Sequence, residues 1–325
     1  MHIEKKALRS VSSQERGAQP CDVCLLAIVT VTYNPDMAVL ETQLDQLPYQ
    51  SLKVLVDNGS TPLLRSRLRE IATTTPGMLL VGNAINAGLA TALNQGASAA
   101  QEHFPGCETL VFLDQDTEPG LGGIEALLAE FNALAATHPR LGCVGPALLD
   151  VDTGIEHGFH QISGWRWVRR FPIDGMPIRV SNLNGSGTLV PMWLFNSLGG
   201  LAGEIFIDHV DTDWAFRVQD AGYELFGIPR VRFKHRMGET GVRFWFMGWR
   251  VWPYRSPTRH FYLFRNTIRL LRAPGVPLVW KVWAPVKLAI TMLAHLIFDK
   301  ARFAQIKYMA RGLWSGMRAW DRNAN

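Results

Sequence analysis

Short unbroken apolar runs alternate with stretches of helical spacing through the first half of the chain. Residues 25–34, "LLAIVTVTYN", form a β-branched run stopped by Asn-Pro, which predicts a strand buried on both faces. "DMAVLETQLDQL" (36–47) places apolar residues three and four apart and predicts a helix. "LKVLVDNGS" (52–60) is a second strand ending in a turn, and "MLLVGN" (78–83) is a third after an intervening helix-like stretch. The Ala-rich segment 88–104 predicts a helix and "TLVFLDQD" (109–116) a fourth strand; a helix over 121–138 and a strand over 141–149 follow. This alternation, with nearly continuous apolar strands, predicts an α/β fold whose mostly parallel sheet carries helices on both faces.

After residue 150 the alternation stops. Residues 155–187 are rich in Gly, Trp and Arg, a short helix is expected near 191–198, and 205–229 reads as a turn, an amphipathic helix ending at Gly222 and a short strand. The polar start (1–24) predicts a flexible tail, 25–270 a single α/β domain, and 271–325 a basic, Trp-rich helical segment.

In mostly parallel sheets ligands bind at the carboxyl ends of the strands. Those ends carry Thr32, Tyr33 and Asn34, then Asp57 and Asn58, then Asn86 after a short loop, then Asp114 and Asp116. Asp114 and Asp116, one residue apart where a buried strand leaves the core, suit a hard divalent cation, which prefers oxygen ligands shared with substrate phosphates. The alternative is a solvated turn in which Asp116 caps the next helix. A phosphatase using the first Asp as nucleophile is disfavoured, because three strands precede this pair and Glu118 stands where such enzymes carry Thr or Val.

Asp57 is suited to accept from a base N–H or ribose hydroxyl, or to form an Asx turn. Gly88, after Asn86 and before a helix, allows close approach of backbone to a ligand, and Asn94 lies two turns on. Asp208, Asp211 and Asp213 cluster within "IDHVDTDWAFR". Asp211 opens the helix and is a candidate general base, whereas Asp213 and Arg217 are i,i+4 partners with a structural explanation. His235, after a strand, is either a third metal ligand or a structural histidine.

Charge sharpens the picture. Lys and Arg total 33 against 28 Asp and Glu, and the excess lies in the C-terminal third among tryptophans. That suits an anionic membrane surface or a phosphorylated substrate, and no zinc-finger or basic-zipper pattern suggests nucleic acid. Four cysteines are too few for a disulfide framework, so a reducing cytoplasm is expected. Cys21 and Cys24 form a single CxxC, read as incidental thiols rather than a redox or metal pair. Residues 276–298 are strongly apolar but interrupted by Lys281, Pro285, Lys287 and His295. They suit a helix lying in a membrane interface better than a clean span, with an ordinary buried helix as the alternative.

Taken in order, "VTYNP", "VDNGS", "NAGLATALNQG", "FLDQD" and "FIDHVDTDWAFR" resemble the inverting glycosyltransferases of family 2, over about residues 25 to 270. Within that family "FLDQD", "FIDHVD" and "RHFYLFRNTIRLLR" are most similar to the dTDP-rhamnosyltransferases. The resemblance implies a GT-A fold and a site binding a nucleotide sugar, with dTDP-rhamnose as donor and a glycan, lipid-linked glycan or glycolipid as acceptor. It implies that Thr32, Tyr33, Asn34 and Asp57 hold the nucleoside and that Asn86, Gly88, Asn94 and Asp114 line the nucleotide-sugar pocket. Asp116 and His235 would hold Mg²⁺ or Mn²⁺, and Asp211 would be the catalytic base. Gly185, Ser186, Asp208 and Arg265 would lie on the acceptor side. Val210 stands where many members carry the Glu of a Glu-Asp pair, which fits the rhamnosyl subgroup. The implied setting is surface-polysaccharide or rhamnolipid synthesis at the cytoplasmic face of the inner membrane. A family 2 transferase using another nucleotide sugar, or a non-catalytic nucleotide-sugar-binding relative, is the alternative.

Overall fold

The computed structural model describes residues 22–236, 242–245, 249–252 and 255–318. The tail through Cys21, and with it the CxxC reading, lies outside the described residues, as does much of the aromatic stretch 238–256.

From the start, β1 (Leu26–Thr32), α1 (Met37–Asp45), β2 (Leu52–Asp57), α2 (Pro62–Thr74), β3 (Met78–Gly82), α3 (Leu89–His103) and β4 (Thr109–Asp114) alternate as the pattern predicts. A two-residue strand β5 (Thr117–Glu118), α4 (Gly123–Ala135) and β6 (Leu141–Asp150) follow. Strands β1, β2, β3 and β4 pair in parallel, and side-chain parity sorts them between two apolar layers. Ala27, Val29 and Val31 join the layer of α3, while Leu26 and Ile28 face that of α1, α2 and α4. Gly96 lets α3 lie on β1, since a Cβ there would come within 2.3 Å of a Val29 methyl.

Beyond residue 150 the chain adds β7 (Glu156–His157), the hairpin β8 (Phe159–Ser163) and β9 (Arg166–Arg170), β10 (Ile178–Val180), β11 (Leu189–Pro191), α5 (Met192–Ser197), α6 (Val210–Asp220) and β12 (Glu224–His235). Two features depart from expectation. The strand before His235 is not short: β12 has 12 residues and runs parallel to β6, with a register shift between Ile228 and Arg232. The three-residue β11, too short to leave a periodic signal, inserts antiparallel between β4 and β6, so the sheet order is β10-β12-β6-β11-β4-β1-β2-β3.

A small hairpin, β13 (Val242–Trp245) with β14 (Trp249–Trp252), precedes α7 (Pro257–Arg272), α8 (Leu278–Phe298) and α9 (Arg302–Gly316). Helix α8 runs unbroken through Lys281, Pro285, Lys287 and His295, which interrupt its apolar run and not its backbone. Trp280, Ala284, Leu288 and His295 form its inward stripe, and Trp280 and Ala284 pack with Phe216 of α6 and Leu270 of α7. Its outward stripe (Leu278, Val282, Val286, Ile290, Leu293, Ile297) is exposed and wholly apolar. By length and composition α8 could cross a membrane.

Candidate active site

The turn after β4 is held from three sides. Gln43, a buried amide on the inward face of α1, donates from Nε2 to the carbonyls of Asp114 (2.7 Å) and Thr117 (2.6 Å). Its Oε1 accepts from the Thr30 hydroxyl at 3.0 Å. The Ser186 hydroxyl accepts from the Asp114 backbone N–H (2.9 Å) and lies 2.6 Å from Thr117 Oγ1. Gln115 Oε1 accepts the Tyr33 backbone N–H at 2.7 Å, tying this turn to the end of β1. The carboxylates of Asp114 and Asp116 are thereby aimed outward, with side chains 39% and 34% exposed.

Pairing of β5 with the end of β12 brings His235 opposite Thr117. His235 Nδ1 lies 3.4 Å from Asp116 Oδ1 and 2.8 Å from Thr117 Oγ1, and Nε2 lies 4.0 Å from Asp114 Oδ2. One ligand atom from each of Asp114, Asp116 and His235 fits within 4.8 Å. Burial pushes the Asp116 pKa up, with the neighbouring Asp114 charge adding to it and His235 opposing it. Two carboxylates and one imidazole, mutually close and partly desolvated, are a donor set suited to Mg²⁺ or Mn²⁺.

The second half of the site is the turn before α6. Asp208 (φ 59°) and His209 (φ 66°) both adopt left-handed backbone, uncommon for residues other than glycine and here consecutive. Helix α7 holds them: Asn266 Nδ2 donates to the carbonyls of Ile207 and Asp208, and His209 Nε2 lies 2.9 Å from Thr267 Oγ1. This strained turn presents Asp211 at the head of α6. Burial raises the Asp211 pKa to about 6 and the Asp208 and Asp114 charges push the same way, against the Thr212 N–H and hydroxyl that bond its Oδ1. Asp211 lies near the Asp114–Asp116 turn, since Ser186, which accepts the Asp114 N–H, follows Gly185. Gly185 sits beside Asp211: a Cβ at Gly185 would lie 3.8 Å from the Asp211 Cβ.

The remaining residues divide. Tyr33 is 49% exposed, and Asn34 (φ 47°) accepts the Thr61 N–H. Asn86 Oδ1 accepts from Asn58 and from the Gly88 N–H. Gly88 (φ 91°) permits the start of α3 to dock on Phe206, because a Cβ there would meet the Phe206 Cα and carbonyl oxygen at 2.9 Å. Thr32 is fully buried, and its hydroxyl donates to the Val56 carbonyl. Asp57 is also fully buried, accepting from the Ser60 N–H three residues on at 2.9 Å and pairing with Arg65 at 3.0 Å.

Three further expected ligand contacts are likewise internal bonds. Asn94 exchanges both amide atoms with the Leu201 backbone, because α3 carries it toward the outer groove lined by Leu79, Val81 and Glu102. Ser186, expected on the acceptor side, is 3% exposed and braces the Asp114–Asp116 turn. Arg265, expected there too, stacks on Tyr262 and donates to the Glu204 carbonyl at 2.7 Å. Asp213 and Arg217 form the structural pair that their spacing allowed, at 2.8 Å, with Arg217 also donating to the carbonyls of Leu198 and Gly200. Sequence reasoning missed Gln43 and Thr117. A glutamine on the apolar stripe of α1, in register with Val39, Leu40 and Leu44, was the available signal.

The profile of the family described as "Glycosyl transferase family 2" matches residues 28–142. The chain is 30% identical over 257 residues to "dTDP-rhamnosyl transferase RfbF" of Shigella flexneri, covering 78% of this chain and 82% of that protein. Among solved structures, a mannosyltransferase of Pyrobaculum calidifontis in complex with GDP-Man and Mn²⁺ superposes with a TM-score of 0.54 at 17% identity, over 92% of this chain and 88% of that one. GalNAc-T7 with UDP, GalNAc and Mn²⁺ gives 0.56 at 18% identity, over 87% of this chain; the chain spans about half of its length (54%). These likenesses establish the shared sheet architecture, the GT-A fold.

Proposed function

Since the chain belongs to glycosyltransferase family 2, we propose that this enzyme moves L-rhamnose from dTDP-β-L-rhamnose onto an acceptor hydroxyl, with inversion, in surface-glycan or rhamnolipid synthesis. The observation that carries the chemistry is the Asp114–Asp116–His235 cluster with Asp211 nearby, linked through Gly185 and Ser186. The rhamnosyl assignment leans on the likeness to the Shigella flexneri dTDP-rhamnosyl transferase.

Asp114, Asp116 and His235 would hold Mg²⁺ or Mn²⁺. A bound divalent ion there supplies charge neutralisation for a leaving nucleoside diphosphate. Gln43, Ser186 and Thr117 fix the turn so that its carboxylates need no reorganisation. Asp211 accepts the proton of the acceptor hydroxyl as that oxygen attacks the anomeric carbon from the face opposite the leaving group. The bond to the nucleotide breaks as the new glycosidic bond forms, so a β-linked donor yields an α-linked product. One base suffices, because a diphosphate leaves without being protonated. Tyr33, Asn34 and Asn86 would contact the nucleotide.

The setting we propose is the cytoplasmic membrane face. The outward stripe of α8 is apolar along its length, Trp283 is 42% exposed beside it, and residues 271–325 carry nine Lys and Arg against two Asp. An interfacial helix with anionic lipid as its counter-surface has this composition. The test of the activity is incubation with dTDP-rhamnose, Mn²⁺ and a panel of glycan and glycolipid acceptors. Transfer of rhamnose supports the reading; transfer from another nucleotide sugar, or dTDP binding without turnover on any acceptor, replaces it with the corresponding alternative.

A further inference from the structure

Asp57, which the resemblance places on the nucleoside, is enclosed. Its side chain is 0% exposed, Oδ1 accepts the Ser60 N–H at 2.9 Å, and Oδ2 accepts Arg65 Nε at 3.0 Å. What it holds is a guanidinium. Arg65, in the first turn of α2, also donates from Nη2 to the carbonyls of Asn83 (3.0 Å) and Ser60 (3.4 Å). Bonds from two of its nitrogens thus fix the plane of the group. Nη1 bonds to none of the described residues, and the Arg65 side chain is 29% exposed. Its rotamer freedom is already spent on protein contacts while one donor edge stays open, so a ligand meets a preorganised donor.

The loop that Arg65 grips is itself built in. Buried Asn58 donates to Asn86 Oδ1 at 3.1 Å and accepts from Asn83 Nδ2 (3.0 Å) and the Ala87 N–H (2.9 Å). Gly59 (φ 89°) packs against the same loop, where a Cβ would come within 2.6 Å of the Asn86 nitrogen. From this corner a rim of turn-to-turn bonds runs to the Asp114–Asp116 turn. The Ser60 hydroxyl accepts the Asn34 N–H at 2.9 Å, and the Tyr33 N–H bonds Gln115, between the two aspartates. In the sheet β2 stands two places from β4, about 10 Å at the ordinary spacing of strands. A nucleoside diphosphate whose phosphates lie at Asp114 and Asp116 covers that span with its ribose, and its base arrives at the Arg65 corner. Tyr33 and Ile85, which follow β1 and β3, are exposed to either side and offer surfaces for the faces of the ring.

We propose that Arg65 is a specificity-determining residue for the donor's base, its Nη1 donating to the C4 carbonyl of thymine. This rests on the glycosyl-transfer reading and names the group that reads the donor. The C4 carbonyl lies across the ring from the N1 bond to the sugar, and Arg65 lies at the end of the rim away from Asp114 and Asp116, so this atom is the one that reaches it. A guanidinium only donates. A base with an amino group at C4, as in cytosine, sets N–H against N–H and is rejected, whereas uracil shares the carbonyl and is accepted. Asp57 acts through Arg65, as a positioning residue.

The test is calorimetry of the full-length protein with Mn²⁺ and four nucleotides: dTDP, dCDP, and the 4-thio and 2-thio analogues of dTDP. The wild type is expected to bind dTDP about tenfold or more tighter than dCDP or the 4-thio analogue, whose sulfur is a poor acceptor, and to bind the 2-thio analogue as well as dTDP. Arg65→Lys keeps a cation against Asp57, but its ammonium donors are consumed by Asp57 and the two carbonyls. It should bring the dTDP-to-dCDP affinity ratio close to one, through loss of dTDP affinity with dCDP affinity unchanged. The analogue comparison on the wild type stands even where the variant fails to fold. Equal weakening of dTDP and dCDP in Arg65→Lys is the mark of a merely structural arginine and overturns the proposal. So does a wild type that binds the 4-thio analogue or dCDP as tightly as dTDP, or that loses equally with both thio analogues. Absence of any dTDP–Mn²⁺ binding by the wild type overturns the donor reading itself.

Discussion

Asp116 and His235 lie 3.4 Å apart, carboxylate oxygen to imidazole nitrogen, although one ends the fourth strand's turn and the other ends β12. The two-residue strand β5 makes the contact possible by pairing with the last residues of β12. If the pair holds a divalent ion, His235→Ala lowers Mn²⁺ affinity about tenfold or more, and Asp116→Asn lowers it further. A manganese titration followed by electron paramagnetic resonance, with dTDP present, measures both. Unchanged affinity in His235→Ala removes His235 from the site.

Gln43 is a positioning residue. Gln43→Leu leaves the Asp114 and Thr117 carbonyls and the Thr30 hydroxyl without their amide partner, at a cost of about 2–4 kcal/mol. Thermal unfolding should drop by several degrees. Turnover should fall by more than the unfolded fraction accounts for, because the metal turn loses its clamp; activity that tracks folded protein alone argues against the positioning role.

The base must be ionised to act, and Asp211 titrates at about 6. The rate under subsaturating acceptor should therefore rise with pH through about 6 and then level. Asp211→Asn should abolish transfer while keeping dTDP affinity. Its effect on stability has a defined sign. A folded-state pKa above the unfolded value near 3.9 gives stability that is complete below that value and lost as pH rises through about 6. Asparagine does not ionise, so Asp211→Asn should raise the melting temperature at pH 8 and change it little at pH 4. No difference between the two pH values would contradict the burial that shifts this group.

Ile290 and Leu293 are 53% and 56% exposed on the outward stripe of α8. Replacing both with Glu should leave the melting temperature within about 1 °C, since neither is packed. Co-sedimentation with phosphatidylglycerol vesicles should fall about tenfold or more, as apolar insertion is lost and like charge is added. Full retention on vesicles would contradict interfacial seating. Deleting α8 is a poorer test, because Trp280 and Ala284 close a cluster with Phe216 at the back of α6.

Much of the fold was legible because its determinants are local. A run such as Leu26–Val31, apolar but for Thr30, predicts a strand covered on both faces, and alternation with helical spacing points to the parallel arrangement. Strand ends such as Asp114 and Asp116 follow from where the apolar run stops. Asp211 was legible for a similar reason, as an acid at the first turn of an amphipathic helix. The same local rule fails for Asn94 and Arg265. Each is polar, lies near the right motif and bonds to protein backbone instead, because a side chain's own helix does not specify which neighbour it meets.

The sequence by itself determined which segments are strands, which carry acids at their ends, and which late helix is predominantly apolar. Tertiary structure alone decided that His235 joins the aspartates, that Gln43 and Ser186 clamp their turn, and that Arg255 and Arg259 close on Asp208. The physical reason is range: hydrophobic periodicity is set by residues within a turn or a strand of one another. Partners across β5 and β12, or between α7 and the turn before α6, depend on pairings between segments far apart in the chain, where no local period records the register.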